Sequence, residues 1–502
     1  MSVLEVERKF AVPPSFVVPE LARDGWVVAS GATVELDATY YDTEGLRLAR
    51  ANITLRRRVG GKDAGWHLKL PASGGRIEIQ RPLGRGATVV PPALIDLVLA
   101  YTRGLVAAPV ARIRTTRSLI TVSDDDGTPL VEVADDHVVG QRLGGTGEAT
   151  RWREIEVELL TAGREEVVVA VGKRLGKAGA APSPSASKLA RTLGQPEKSG
   201  AGPPAPGGRE SAAAAVTGYL GEQVAALLAA DPRVRRAEHD AVHSMRVASR
   251  RLRSALRNFR PLLDRAALGD LEPELKWLAG VLGEVRDREV LRERMRRQLD
   301  ALPAELVLGP VRAHLLDEEL RAGGLRAQSV ALDALRSSRY LALLDRLDSF
   351  TAAPPFTADA ASAARTVLPR LVRRAWKRLD RRAARAVASG SEQDLHDCRK
   401  AAKQARYTAE AAAPTLGRPA SRLGKKAKRV QSVLGEYQDS VVARTLLRRL
   451  ATTESQAFTY GLLYAAEQQR AAVTAARFTH HWRRADDGGS RRLLAHLSGR
   501  NG

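Results

Sequence analysis

The chain has 502 residues, with 80 Lys and Arg against 57 Asp and Glu, giving a net charge of +23. That length exceeds what a single hydrophobic core organises, and the charge points to a polyanionic partner: nucleic acid, an anionic membrane or polyphosphate. One cysteine, Cys398, excludes an intrachain disulfide, and no apolar run approaches the roughly 18 residues of a membrane span.

Glu5 and Glu7 interrupt any leader-like pattern at the N-terminus, so the expected location is cytoplasmic. Residues 1–200 are nearly balanced in charge, and the surplus of Lys and Arg lies almost entirely beyond them.

The opening stretch, Ser2 to Phe10, alternates: Glu5, Glu7 and Lys9 share one face of a strand, with Val6 and Arg8 on the other. Further period-two runs predict strands at 2–10, 33–42, 51–59, 65–70, 76–81, 111–122, 129–138 and 152–160. Gly60-Gly61, Gly74-Gly75 and Asp124 to Gly127 mark turns. Residues 14–24, 91–103 and 162–176 read as short helices. This pattern predicts an α+β domain whose antiparallel sheet of eight strands closes into a barrel.

Charges recur at strand parity. Arg56 and Arg58 share a face, as do Arg76 and Glu78, Arg112 and Arg114, Glu132 and Asp136, and Glu154, Glu156 and Glu158. Facing outward, they make a solvated barrel. Facing inward, they line a tunnel with acids for a hard divalent cation and bases for phosphate. Apolar Val6, Ile155 and Val157 on the opposite face favour the inward arrangement, with helices covering the outside.

These residues resemble the CYTH domains, the triphosphate tunnel metalloenzymes. Glu5-Val-Glu-Arg-Lys9 fits their E-x-E-x-K signature. Tyr40-Tyr-Asp-Thr43, Leu55-Arg56 with Arg58, Lys69, Arg76-x-Glu78, Glu132 with Asp136, Glu154 to Glu158 and Ser187-Lys188 follow in the family's order. The resemblance covers residues 1–193 and implies an eight-stranded tunnel that binds a triphosphate and Mg²⁺ or Mn²⁺. It assigns the metal to Glu5, Glu7, Asp136, Glu154, Glu156 and Glu158, and makes Glu5, Glu7 and Lys9 the catalytic motif. Phosphate falls to Lys9, Arg56, Arg58, Lys69, Arg76, Arg114, Arg117 and Lys188. Which of Arg112, Arg114 and Arg117 reaches inward is open, because a bulge changes parity.

Residues 194–210, rich in Gly and Pro, read as a linker. Ala/Leu/Arg stretches at helical spacing follow, and a second break at 351–362 divides them into halves 211–350 and 363–499. The halves repeat. Lys276 to Asp287 aligns with Lys428 to Asp439, sharing Val-Leu-Gly-Glu-x-x-Asp. His243, Arg246, Arg250 and Arg253 align with His396, Arg399, Lys403 and Arg406, each set on one helical stripe. Each half has the length of a four-helix bundle, so tandem all-α bundles are expected.

This pairing resembles the CHAD domain, a helical module found behind CYTH domains. It implies two pseudo-symmetric bundles whose basic groove binds inorganic polyphosphate through His243, Arg246, Arg250, Arg253, His396, Arg399, Lys403 and Arg406. Asp287 and Asp439 would orient a base. The histidines either donate to phosphate or are capped inside the bundle. Zinc is disfavoured, since neither motif offers a second Cys or a close His pair.

The expected function is metal-dependent hydrolysis of inorganic triphosphate, or another compact triphosphate, tethered to a polyphosphate-binding module. The module either concentrates phosphate chains near the tunnel or localises the protein to polyphosphate granules. Two alternatives are a nucleotidyl cyclase acting on ATP and a non-catalytic polyanion scaffold. Nucleic acid is disfavoured because the basic helices lack interleaved aromatics. No membrane partner is expected, and oligomeric state is not legible.

Overall fold

The computed structural model describes residues 2–23, 25–72, 74–84, 88–144, 148–160, 163–194, 205–451, 454–485 and 489–497, with the backbone alone for 2–5, 454, 455 and 483–485. Contacts divide the chain into two compact units, 1–199 and 200–502.

In the first unit the alternating segments form strands β1 (Ser2–Glu5), β2 (Glu7–Val12), β3 (Val27–Asp42), β4 (Thr54–Val59), β5 (Gly65–Ala72), β6 (Gly75–Arg81), β7 (Ala108–Ser123), β8 (Pro129–Arg142), β9 (Thr150–Leu159) and β10 (Ala181–Pro182). They make one antiparallel ten-stranded sheet in the order β1-β6-β5-β4-β3-β7-β8-β9-β2-β10. β1 at one end of that order and β2, next to the other end, are consecutive in the chain. β1 pairs with β6, the chain breaks at Val6, and β2 pairs with β9. The sheet therefore comes round on itself through one covalent segment, and not through a ladder between β6 and β9. The expected closed barrel is corrected to a curled sheet with an open seam. Its long segments match the eight predicted strands when β1 and β2 count as one and the two-residue β10 is set aside.

The alternation sorts the faces. Outward, Phe10 and Val12 of β2, Val131 and Val133 of β8, and Ile155 and Val157 of β9 pack under Val168, Val171 and Leu175 of the helix Glu165–Lys177. A second cluster sets Leu55, Trp66, Leu68, Leu70 and Ile79 against Leu94, Leu97 and Val98 of the helix Pro92–Thr102. Each such aliphatic side chain stabilises by about 1.5–3 kcal/mol when fully buried. With the apolar residues committed outward, the charged residues of the same strands are turned into the interior.

Of the expected helix 14–24, the described residues 14–23 are not helical, which corrects the expectation, and residue 24 lies outside the described residues. Pro13, Pro14 and Pro19 cannot donate to a helical ladder and hold the preceding residue extended. The segment instead packs Phe16 and Leu21 onto the outer cluster. Arg153 donates to the carbonyls of Pro14 (2.9 Å) and Phe16 (2.6 Å), and Arg174 to those of Leu21 and Ala22 (2.8 Å each). A helix at Lys188–Leu193, capped by Ser187 accepting from the Ala190 N–H at 3.1 Å, was not predicted.

The second unit is helical. Its first half runs Ala212–Arg235, Ala241–Asn258, Leu271–Ala301, a π-type stretch Ala313–Arg321 continuing into Ala322–Arg336, and Ser338–Ala352. The second runs Ala364–Ser389, Glu392–Leu416, Arg418–Leu450, Glu454–Ala485 and Gly489–His496. The halves meet reciprocally: the Ala212 N–H donates to Ser362 O, and the Ala364 N–H to Glu210 O, both at 2.8 Å. Residue pairs related by the repeat thus exchange bonds, as across a two-fold axis. Met295 and Leu299 of one half share a core with Ala443, Leu447, Tyr460 and Leu463 of the other, so the bundles are fused. Among the described residues one helix, Ala212–Arg235, is long and apolar enough to cross a membrane; it packs against Ala241–Asn258 and Ala364–Ser389.

The turn between β4 and β5 needs glycine. Gly60 has φ +85°, and a Cβ there would lie 2.1 Å from the Glu35 carbonyl oxygen. Gly60→Ala should therefore destabilise the first unit by roughly 1–3 kcal/mol, read as a fall in the melting temperature of its calorimetric transition while that of the second unit stays put.

Candidate functional site

The first site is the interior of the curled sheet. Cross-strand register places Glu7 opposite Glu158 and Glu158 opposite Glu132, and Lys9 opposite Glu156. It also places Glu154 opposite Asp136 and Asp136 opposite Arg117. Oxygens of Asp136, Glu154 and Glu156 lie within 4.8 Å of one another. Lys188 Nζ stands at their convergence, 2.9 Å from Asp136, 2.8 Å from Glu154 and 2.6 Å from Glu156. Arg117 grips Asp136 with two 2.7 Å bonds and reaches Glu156 Oε2 at 2.7 Å. Lys9 bonds Glu156 at 2.7 Å and approaches Glu7 at 3.3 Å. Trp152 Nε1, on the same face of β9, donates to Glu154 Oε2 at 2.6 Å and fixes its orientation.

Burial opposes the ionisation of Glu156, yet Lys188, Lys9 and Arg117 outweigh it and hold the carboxyl well below its usual range. Burial likewise opposes charge on Lys188 and Lys9, but the carboxylates raise both above the ordinary lysine value. Glu158 goes the other way. Burial pushes it up, Lys69 resists, and Glu7, Glu156 and Glu132 add to the rise.

The opposite wall is cationic. Burial, then Arg56 and Arg117, push Arg58 down to about 9, and it pairs with Asp63. Arg56 donates to the Tyr40 hydroxyl at 3.3 Å and lies 3.8 Å from Glu78. The Nε atoms of Arg56 and Arg58 are buried without a hydrogen-bond partner, an arrangement that suits an anion with many acceptor oxygens. His67 bridges the wall, with Nδ1 2.6 Å from Glu78 Oε1 and Nε2 2.9 Å from the Asp63 carbonyl. Burial, then Arg56 and Arg58 against Glu78, keep His67 below its ordinary value. Lys69, opposite Glu78 in the β5–β6 ladder, acts on Glu158 from across the interior. An apolar cluster of Tyr40, Ile113, Val138, Trp152 and Leu189 fills the end where Lys188–Leu193 packs.

The structure thus brings Glu7, Lys9, Arg56, Arg58, Lys69, Arg117, Asp136, Glu154, Glu156, Glu158 and Lys188 to one interior. Arg76 sits half-buried beside the seam, opposite Glu5 in the β1–β6 ladder. The side chain of Glu5 lies outside the described residues. Arg114 does not belong to the site: with Arg112 it is exposed on the outer face, where Arg112 pairs with Asp37. Parity decides this, because Ala111, Ile113, Thr115 and Arg117 take the inward positions of β7. Tyr40, His67 and Trp152 were missed as site residues; shared parity with Arg56's neighbours, Lys69 and Glu154 was the available signal.

The second site lies where the helices Ala241–Asn258 and Glu392–Leu416 meet. Burial pushes Lys403 down to about 6, with Arg250, Arg399, Arg246 and Arg253 adding to the fall. The two stripes therefore converge on one groove. Among the described residues no carboxylate lies within ion-pairing distance of Lys403. Arg246 is aimed by Asp287 at 2.7 Å, and its guanidinium lies over Gly283, where a Cβ would come within 3.3 Å of Nη2. The repeat does the same less tightly: Arg399 lies over Gly435 and is drawn by Asp439. The Gly and Asp of the repeated motif thus seat an arginine. His396 bonds Gln438 at 2.8 Å, Arg406 bonds Glu410 at 2.6 Å, and Arg253 lies 3.8 Å from Glu272. His243 is exposed, and partial burial, then Arg286, lower it. Cys398 is buried and pushed up to about 12, a packed thiol and not a reactive one.

Residues 4–193 match the CYTH domain and residues 218–448 the CHAD domain. The chain belongs to the CYTH–CHAD family. It is 40% identical over 494 residues to the Mycobacterium tuberculosis proteins Uncharacterized protein Rv2226 (strain H37Rv) and Uncharacterized protein MT2285 (strain CDC 1551), covering 92% of this chain and 93% of each relative. Among solved structures, it is similar to PptA from Streptomyces chartreusis (24% identity, 55% of this chain, 99% of that one, TM-score 0.46). It is also similar to the CHAD domain from the plant Ricinus communis (27% identity, 56% of this chain, 90% of that one, TM-score 0.41). Membership of this CYTH–CHAD family places a triphosphate-related function in the first unit, and the buried Asp136, Glu154 and Glu156 offer the oxygen donors that a hard divalent ion takes.

The lone lysine among arginines makes a pH prediction. Its folded value lies below the unfolded one of about 10.4, so the unfolded chain binds more protons between those limits and the penalty is greatest at low pH. Lys403→Met should raise the melting temperature of the second unit more at pH 6 than at pH 9.

Proposed function

We propose that the CYTH unit hydrolyses a compact triphosphate, inorganic triphosphate first among them, and that the CHAD unit binds inorganic polyphosphate. The observation that carries the first part is the sorting of the interior into a cationic wall, Arg56, Arg58 and Lys69, facing a carboxylate wall, Asp136, Glu154 and Glu156. Phosphoryl transfer needs in-line positioning and charge neutralisation more than covalent chemistry. Arg56 and Arg58 offer unmet buried N–H groups to phosphate oxygens, and Lys9 and Lys188 stand beside the acids to neutralise the chain's other end. A divalent ion, Mg²⁺ or Mn²⁺, held by Asp136, Glu154 and Glu156 supplies Lewis-acid charge on the phosphoanhydride. Glu158, whose proton affinity is raised, is suited to take a proton from the attacking water.

The second part rests on the groove, where guanidiniums from both repeats surround an unpaired lysine. Closely spaced like charges repel, and a regularly spaced polyanion relieves that repulsion. Asp287 and Gly283 hold Arg246 in place for it.

Phosphate release from triphosphate should need Mg²⁺ or Mn²⁺ and stop with EDTA. Glu156→Gln should lower it by roughly 100-fold or more; retained turnover in that variant, or a cyclic product from ATP, would count against the reading. A double charge reversal, Arg246→Glu with Arg399→Glu, should abolish binding of long-chain polyphosphate to the full chain. It should leave triphosphate turnover in place, and duplex DNA should compete poorly for the wild-type groove.

A further inference from the structure

The acid cluster of the first unit is already electrically balanced. Asp136, Glu154 and Glu156 carry three negative charges, and Lys9, Arg117 and Lys188 contact them with three positive ones. Lys188 is the central member. Its side chain is 9% exposed, and its ammonium touches all three carboxylates, at 2.6–2.9 Å. It is the first residue of the helix Lys188–Leu193, whose backbone is anchored by the Ser187 cap and by Leu189 in the apolar cluster. The ammonium is therefore delivered to one point by a fixed backbone on a flexible four-carbon stem.

A divalent ion cannot join this cluster without cost. Its ligand oxygens are engaged by the lysine, and two more positive charges would sit within contact of three cations at low local dielectric. The cluster admits a metal only if a cation withdraws, and the group that would draw off an ammonium is an incoming phosphate oxygen. We propose that Lys188 is a tethered counter-ion that holds the metal-ligating carboxylates in the free protein and yields its place when a triphosphate takes the ammonium. Metal and triphosphate then bind cooperatively, each making room for the other, and by linkage each strengthens the other by the same factor. The unmet Nε groups of Arg56 and Arg58 give the triphosphate its first hold on the opposite wall. This inference rests on the reading of the interior as a metal and triphosphate site.

The test is Mn²⁺ titration of the full-length protein by calorimetry, without triphosphate and with a non-hydrolysable imidotriphosphate. In the wild type the analogue should tighten Mn²⁺ roughly tenfold or more. Lys188→Met should bind Mn²⁺ roughly tenfold tighter than wild type with no analogue present, a gain that a further Glu154→Gln removes, while Lys188→Arg stays weak. Lys188→Met leaves buried carboxylates short of a cation, so its melting temperature should fall in EDTA and recover with Mn²⁺ by more than the wild type's does. Equal Mn²⁺ affinity in wild type and Lys188→Met, or an equal Mn²⁺-induced rise in melting temperature, overturns the exchange. Tight Mn²⁺ binding to the wild type that the analogue does not alter also overturns it, and leaves the metal site standing. If neither wild type nor variant binds Mn²⁺, with or without the analogue, the metal reading itself falls and takes the exchange with it.

Discussion

Burial of charge inside a curled sheet is the constraint on which the first unit depends. Strands that place Val, Ile and Leu outward under two helices must turn the alternate residues inward, and here those residues are ionised. An isolated charge in such surroundings would neutralise itself or unfold the sheet, so each needs a partner of opposite sign. Asp136 finds Arg117 and Lys188, Glu156 finds Lys9, Arg117 and Lys188, and Glu78 finds Arg56, with His67 hydrogen-bonded beside it. The result is a network in which removing one member leaves others uncompensated. It is also an interior whose partners are exchangeable, since the bonds that stabilise it are of the kind a phosphate or a metal can replace.

The second unit solves a related problem on a surface. Duplication brings two basic helical stripes together at the pseudo-two-fold axis, marked by the reciprocal bonds of Ala212 and Ala364. Within each repeat, a glycine clears space for an arginine and an aspartate four residues on draws it. The repeats are not identical in chemistry. Where the first repeat has Arg250 the second has Lys403, whose ammonium burial and the neighbouring arginines make easier to deprotonate.

The two units differ in how their charge is balanced. In the tunnel, acids and bases are nearly matched and ligands compete with internal ion pairs. In the groove, Asp287, Glu272 and Glu410 answer Arg246, Arg253 and Arg406, while Arg250 and Lys403 meet no carboxylate at ion-pairing distance among the described residues, so an anion meets less competition there. This accounts for the uneven distribution of charge along the chain, balanced before residue 200 and basic beyond it.

Period-two alternation and the Gly-Gly turns determined which segments are strands, because a strand half-covered by helices must alternate. Helical spacing and the repeated Leu-Gly-Glu motif determined the duplication, because stripe residues recur every three or four positions. The order of Glu5-x-Glu7-x-Lys9 and its followers determined the family. Parity alone could not say which face is inside, nor that Arg117 enters while Arg114 stays out. That depended on the apolar clusters that claim the other face and on the register between β7 and β8. Residues 14–23 stay out of a helix because Pro13, Pro14 and Pro19 lack the donors a helical ladder needs. The seam at Val6, the place of Lys188 among three carboxylates and the seating of Arg246 over Gly283 were settled only by tertiary structure. Each joins residues far apart in the chain, and no local pattern in a sequence records such a meeting.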